Sequence, residues 1–294
     1  MKRKELARHY RIADDPKFRL KDHDPADTWK MDSKETAEEW LHEGTARLGE
    51  LQDLLYAQNQ WSLLLVFQAM DAAGKDGTIK HVMSGINPEG CGVCSFKSPS
   101  SEELSHDYLW RTAKATPERG HIGIFNRSYY EEVLVVRVHP NYLERQRLPA
   151  PLITDNIWKE RFQDINGFER HLARNGTVIR KFFLHVSRKE QRARLLERLQ
   201  NADKNWKFSP DDIKERQSWD NYMDAYEEMI RHTATDHAPW YVVPADNKWF
   251  TRLVVAEVVV QALESLDLRY PVVSPEKKKE LAAIRAGLEA KKIR

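Results

Sequence analysis

Cysteine is nearly absent from the 294 residues: only Cys91 and Cys94 occur, too few for the disulfide framework of a small secreted protein. Their C-x-x-C spacing does not restore a redox or zinc centre. CGVCSF reads as a strand, where positions i and i+3 face opposite sides, whereas a redox pair needs a helix start, and two thiols leave a zinc site two ligands short. They read as packing residues in a reducing compartment. No stretch approaches the about twenty apolar residues of a membrane span, and MKRKELARHYR has no apolar signal-peptide core, so a cytoplasmic location with no membrane partner is expected. A dominant charge sign is missing too. Lys and Arg number 47 against 45 Asp and Glu, which argues against a generally basic nucleic-acid coat.

What is present centres on WSLLLVFQAMDAAGKDG, residues 61–77. Residues 62–67 form a short, uncharged apolar run, the pattern of a parallel strand covered on both faces. Residues 69–76 compare with G-x-x-x-x-G-K-[ST], in which backbone N–H groups wrap a phosphate and the Lys reaches the outer one. Gly74 and Lys75 fall in place. Ala69 stands where the first Gly belongs, and Asp76 where a metal-binding hydroxyl belongs. Asp71 adds an acid inside the loop, which would repel a polyphosphate unless a divalent cation lies between, so Asp71 is a candidate Mg²⁺ contact. The plain alternative is a strand-to-helix turn with a solvated Lys. Ala72, Gly74, Asp76, Gly77 and Thr78 are the candidate phosphate contacts, with Lys80 and Lys97 in reach.

Four further strand-like runs, residues 91–97, 121–125, 177–186 and 240–244, alternate with helical periodicity. The pattern predicts an α/β fold: a three-layer P-loop kinase sandwich with a parallel five-stranded sheet. Residues 1–60 read as an N-terminal arm plus a packing helix capped by Ser33, residues 61–270 as the core, and residues 271–294 as a charged C-terminal helix or tail. A helix is expected around Leu104 to Trp110.

The strand at 121–125 delivers Asn126 and Arg127 to the sheet's carboxyl edge, where open parallel sheets bind ligands. An acid often ends this strand in P-loop enzymes and holds Mg²⁺; an amide brings no charge, and Asn126 also suits the cap of a helix over 128–136. Arg127 offers planar, permanently charged donors to phosphate, or a salt bridge to Glu131 or Glu132. Residues 180–198 carry seven Lys and Arg against two Glu. Within them Arg194 and Arg198 stand four apart on one helix face, which by itself also describes surface charge. Lys204 and Lys207 follow in NADKNWKF, and SPDD opens another helix.

Six segments in order, QAMDAAGKDGTIKHVMSGINPEG, FKSPSSEELSHDYLWR, GIFNRSYYEEVLVVRV, FFLHVSRKEQRARLLERL, NWKFSPDDIKERQSWDNY and APWYVVPADNKWF, resemble the successive motifs of the family-2 polyphosphate kinases. The resemblance covers roughly residues 15–270. It implies Mg²⁺-dependent transfer of the terminal phosphoryl group of inorganic polyphosphate to AMP and ADP, forming ADP and ATP, with no nucleic-acid partner. The position of Asn126 is Asp in members restricted to nucleoside diphosphates and Asn in those also taking monophosphates, which leans toward the branch accepting both.

The S-x-x-E-Q-x-x-R-x-x-x-R pattern makes Arg194 and Arg198 phosphate ligands by resemblance. The same resemblance makes residues 201–232 a lid carrying Lys204 and Lys207, and implies a homo-oligomer, dimer or tetramer. The expected catalytic groups are Asp71, Lys75, Arg127 and Arg194, with Asn126 and Glu131 on the acceptor and metal side. An ATP-dependent nucleotide kinase of similar fold and a nucleic-acid-binding P-loop module remain alternatives.

Overall fold

The structure, a computed structural model, describes residues 3–31 and 33–290, and the side chains of all of these but Arg3, Lys4 and Lys207. Its centre is a six-stranded sheet: β1 (Arg11–Ile12), β2 (Ser62–Gln68), β3 (Cys91–Ser95), β4 (Ile122–Asn126), β5 (Thr177–His185) and β6 (Trp240–Pro244), in the order β1-β6-β5-β2-β4-β3. The five expected strands all form and run parallel. β2 is central, buried along its length, with Phe67 opposite Asn126 of β4 and Phe182 of β5. From β2 the chain runs outward to β3, returns to β4, then crosses to β5. The strand order therefore reverses at the carboxyl end of β2, where such sheets bind ligands.

The sixth strand departs from the expected five. Arg11 and Ile12 of the arm pair antiparallel with Tyr241 and Trp240. Two residues carry no readable alternation, so only tertiary pairing reveals them. The arm packs on its own domain, with Leu6, Tyr10, Phe18 and Leu20 buried.

Helices Lys34–Gln58 and Lys248–Glu264 cover one face of the sheet, and Ile157–Arg174 and Trp219–Thr233 the other. The first begins where Ser33 accepts from the Thr36 N–H, an N-cap that satisfies an otherwise orphan donor. Lys248–Glu264 is buried nearly all round, because the sheet and three other helices enclose it. A charge is buried as well. Lys181 of β5 is wholly enclosed and donates to Glu169 at 2.7 Å, to the Thr233 carbonyl at 2.7 Å and to the Tyr130 hydroxyl at 2.9 Å. Glu169 also accepts from the Tyr129 and Tyr130 hydroxyls. Every member is partnered, as a low-dielectric interior demands.

Several expected elements are adjusted. Residues 104–110 form no continuous helix, only the 3-10 turn Glu103–Ser105 and the short turn Trp110–Ala113. Asn126 caps nothing; Ser128 caps the 3-10 segment Tyr129–Val133. The segment 201–232 divides in two. Helix Pro210–Gln217 has no buried residue, whereas Trp219–Thr233 buries Tyr222, Tyr226, Met229 and Ile230, with the Tyr226 ring 4.4 Å from that of Phe183. Only the first part is free of the core. Helix Pro275–Glu289 is exposed throughout, Leu281, Ile284 and Leu288 included. Cys91 and Cys94 are free thiols on the edge strand, packed against the core. Burial pushes the Cys91 thiol up to about 11, which makes it unreactive.

Candidate active site

The loop after β2 is built from an unusual backbone. Ala72 has φ 63° and Gly74 φ 109°, left-handed conformations that glycine takes freely and alanine takes at a penalty of about 1 kcal/mol. Gly74 then precedes helix Lys75–Val82 without any side-chain cap. The first N–H groups of that helix are thus presented to a ligand, in the arrangement that binds phosphate.

Arg194 holds this loop from behind. It donates to the carbonyls of Ala73 at 2.7 Å, Ala72 at 3.3 Å, Ala245 at 2.6 Å and Asp246 at 2.9 Å, and its Nε donates to Glu190 at 2.8 Å. Five acceptors consume the five N–H donors of a guanidinium. Since the N–H of a trans peptide points opposite its C=O, anchoring the Ala73 carbonyl turns the Gly74 N–H away from the arginine. Against the expectation of a catalytic phosphate ligand, Arg194 is 5% exposed with all five donors engaged inside the protein, an arrangement suited to positioning the loop.

The charges on the front of the loop converge. Lys75 is buried, with Nζ donating to the Ala69 carbonyl at 2.7 Å and Met70 at 3.4 Å. Burial first, and then the neighbouring Arg127, bring its pKa down to about 8, while Asp71, Glu131 and Asp76 act in the other direction. Arg127 leaves β4 with φ 65°, its N–H bonded to the Phe67 carbonyl. That left-handed turn swings the guanidinium over the loop, where it meets Asp71 at 2.9 Å and Glu131 at 3.8 Å. Strained residues of this kind cluster at ligand sites. Glu131 foremost keeps Arg127 protonated, above its ordinary range. Asn126 donates to Asp76 at 2.7 Å.

Asp71, Arg127 and Glu131 open on a cleft of about 350 Å³ that Lys97 also lines, whereas Lys75, Asp76 and Asn126 do not line it. Helix Pro210–Gln217 roofs it with Asp212 and Glu215. Glu215 is held by His139 at 2.8 Å and by the Tyr222 hydroxyl at 2.5 Å. Burial, then proximity to Asp71, raises the Asp212 pKa.

The other predicted residues with described side chains do not themselves line the cleft. Arg198 pairs with Asp212 at 3.3 Å and Lys204 with Glu197 at 2.6 Å, while Lys80 is exposed and does not line the cleft. The Lys207 side chain falls outside the described residues. Thr78 is buried, its N–H bonded to the Gly74 carbonyl; Ala72 is buried, and Gly77 lies in the first turn of the helix.

Sequence reasoning missed Arg111, which lines the cleft and lies 5.4 Å over the Phe96 ring. It also missed Gln191, Arg216 and the roof carboxylates Asp212 and Glu215. Gln191 had a signal, its place between Glu190 and Arg194 in the basic-helix pattern. The others had none, because their partners are distant in sequence.

A parallel run of strands with reversed order at its centre, an uncapped helix start there, and a Lys and an Arg gathered beside Asp71 have the layout of a phosphotransferase. Residues 30–271 match the model of the family described as Polyphosphate kinase 2. A Rhodopseudomonas palustris protein named ADP-polyphosphate phosphotransferase is 54% identical over 258 residues, 87% of this chain and 89% of its own. An AMP/ADP-polyphosphate phosphotransferase of Meiothermus ruber is 48% identical over 263 residues, 89% of this chain and 94% of its own. The crystal structure of Polyphosphate Kinase 2 from Arthrobacter aurescens superposes with a TM-score of 0.85 at 38% identity, covering 95% of this chain and 96% of that one. The chain belongs to the polyphosphate kinase 2 family.

Proposed function

We propose that the protein transfers the terminal phosphoryl group of inorganic polyphosphate to AMP and to ADP, releasing a chain shortened by one phosphate and forming ADP and ATP. The observation that carries this reading is the gathering of charge at the loop between the carboxyl ends of β2 and β4, where Lys75 donates to the Ala69 carbonyl and Arg127 to Asp71. Phosphoryl transfer calls for in-line placement and cancellation of charge on the equatorial oxygens, rather than covalent chemistry by the protein. Lys75 and the loop N–H groups hold the transferring group, and Arg127 offsets the charge that develops beside it. Lys97 and Arg111, next to the apolar Phe96, Leu104 and Leu134, suit the phosphate and base of an acceptor nucleotide. The roof of helix Pro210–Gln217 keeps water from competing as acceptor.

Among the described residues no three His, Cys, Asp or Glu side chains group as a metal site. The donors fit Mg²⁺ in its usual kinase mode, one or two protein oxygens with phosphates and water supplying the rest. Asp71, whose Oδ1 faces Arg127, and the amide oxygen of Asn126 would be those donors, and the ion would neutralise phosphate charge. A dimer or tetramer belongs to the same proposal and is read by light scattering.

The test is turnover of purified protein with Mg²⁺ and AMP or ADP, with polyphosphate or ATP as sole donor. New ADP and ATP from polyphosphate alone is the expected result. Product only with ATP would replace the proposal by an ordinary nucleotide kinase, and salt-sensitive nucleic-acid binding without turnover would replace it by a binding module.

A further inference from the structure

Gln191 is 1% exposed, on helix Arg188–Gln200, and its amide touches two separate parts of the site. Its Nε2 donates to the backbone carbonyl of Asp71 at 3.1 Å, and its Oε1 accepts from Arg216 Nη1 at 2.5 Å. Arg216 belongs to the roofing helix Pro210–Gln217, one residue before its end, with its guanidinium 5.8 Å over the ring of Trp219. Asp71 in turn holds Arg127. An unbroken line of contacts therefore runs from the roof through one buried amide to the residue that faces the transferring phosphate.

We propose that Gln191 is a positioning residue that makes the Asp71–Arg127 pair depend on closure of helix Pro210–Gln217. This rests on the phosphotransferase reading above. An arginine only donates, so contact with Arg216 dictates which end of the Gln191 amide is oxygen, and hence that its NH₂ faces the Asp71 carbonyl. When the helix lifts, Oε1 loses its partner inside the protein. The amide is then held by the Asp71 carbonyl alone, and the tie between the roof and the loop is lost.

Arg216 also feels the charges of Arg188 and Arg192: burial first, and then these two cations, lower its pKa. A polyanion lying among these three cations removes their repulsion and favours the closed arrangement.

The test uses Arg216→Met, Gln191→Met and the double variant in the full-length protein. The relay predicts that each single variant lowers kcat with polyphosphate about tenfold, the worth of one charge-assisted hydrogen bond. KM for ADP stays within about twofold, and the double variant is no worse than either single one. Gln191→Glu, which keeps the contact to Arg216 but sets oxygen against the Asp71 carbonyl, behaves like Gln191→Met; recovery of kcat in that variant would overturn the relay. Independently of turnover, hydrogen exchange of amides 71–74 in unliganded Arg216→Met is expected to accelerate about tenfold over wild type. Multiplicative losses in the double variant, or loop exchange unchanged by Arg216→Met, would overturn the relay. Absence of wild-type turnover from polyphosphate would instead overturn the functional reading, leaving the exchange result to judge the relay alone.

Discussion

The buried ammonium of Lys75 makes activity and stability respond to alkali in opposite directions. Enclosure and Arg127 lower its pKa from 10.5 to about 8, a displacement equivalent to ~3 kcal/mol against the charged form. Below pH 8 the amine is protonated in folded and unfolded chains alike, and that penalty is present in full. Between about 8 and 10.5 the folded protein releases its proton first, the unfolded chain binds more protons, and stability gains with pH. Turnover goes the other way, because a neutral amine does not offset phosphate charge. At pH 9 only about a tenth of the free enzyme holds the proton, so kcat/KM for polyphosphate is expected to fall about tenfold per pH unit above 8. A bound polyanion favours the protonated amine, so the kcat limb shifts upward by about one pH unit or more. Initial rates from pH 7 to 10, with Lys75→Arg as the control whose charge does not titrate there, measure both limbs. A kcat/KM profile that stays level to pH 10 would refute the reasoning, as would turnover retained in folded Lys75→Met.

Other expectations follow from the same contacts. Arg194→Ala strips partners from the four carbonyls of Ala72, Ala73, Ala245 and Asp246; a loss of roughly 3–5 kcal/mol in urea unfolding is expected, with no dependence on polyphosphate chain length. Lys181→Met leaves Glu169 charged and enclosed, also roughly 3–5 kcal/mol of destabilisation, read as a lowered urea midpoint. Ala72→Gly releases the left-handed strain at φ 63° and is expected to raise stability by about 1 kcal/mol, measured the same way. Asn126→Asp sets a carboxylate against Asp76, 2.7 Å away across the present hydrogen bond. It is expected to depress AMP phosphorylation more than ADP phosphorylation in paired initial-rate assays, and equal losses would remove Asn126 from acceptor selection.

The central strand was legible in the sequence because it is a local apolar run: residues 62–67 are buried on both faces and read that way. Lys75, Asp71 and Arg127 were legible for a similar reason, being placed by the motif and by the end of a strand. Arg194 was not. Its position on a helix face is local, but the carbonyls that consume its donors come from residues 72, 73, 245 and 246, and no spacing rule connects those to residue 194. Arg198 likewise looks free in sequence and meets Asp212 in space. The surplus of basic residues from 180 to 198 misleads in the same way, since Lys181 and Arg194 are internal braces. β1 escaped notice because two residues hold no period.

That two-residue strand has a bearing on assembly. By occupying the outer side of β6 it leaves one flank of the sheet too short to template another chain, while β3 at the opposite flank has no further strand beside it among the described residues. Any association that lengthens the sheet must therefore join β3 to β3, and such a union consumes both available borders at once. Copies meeting this way stop at a pair and cannot propagate into a filament.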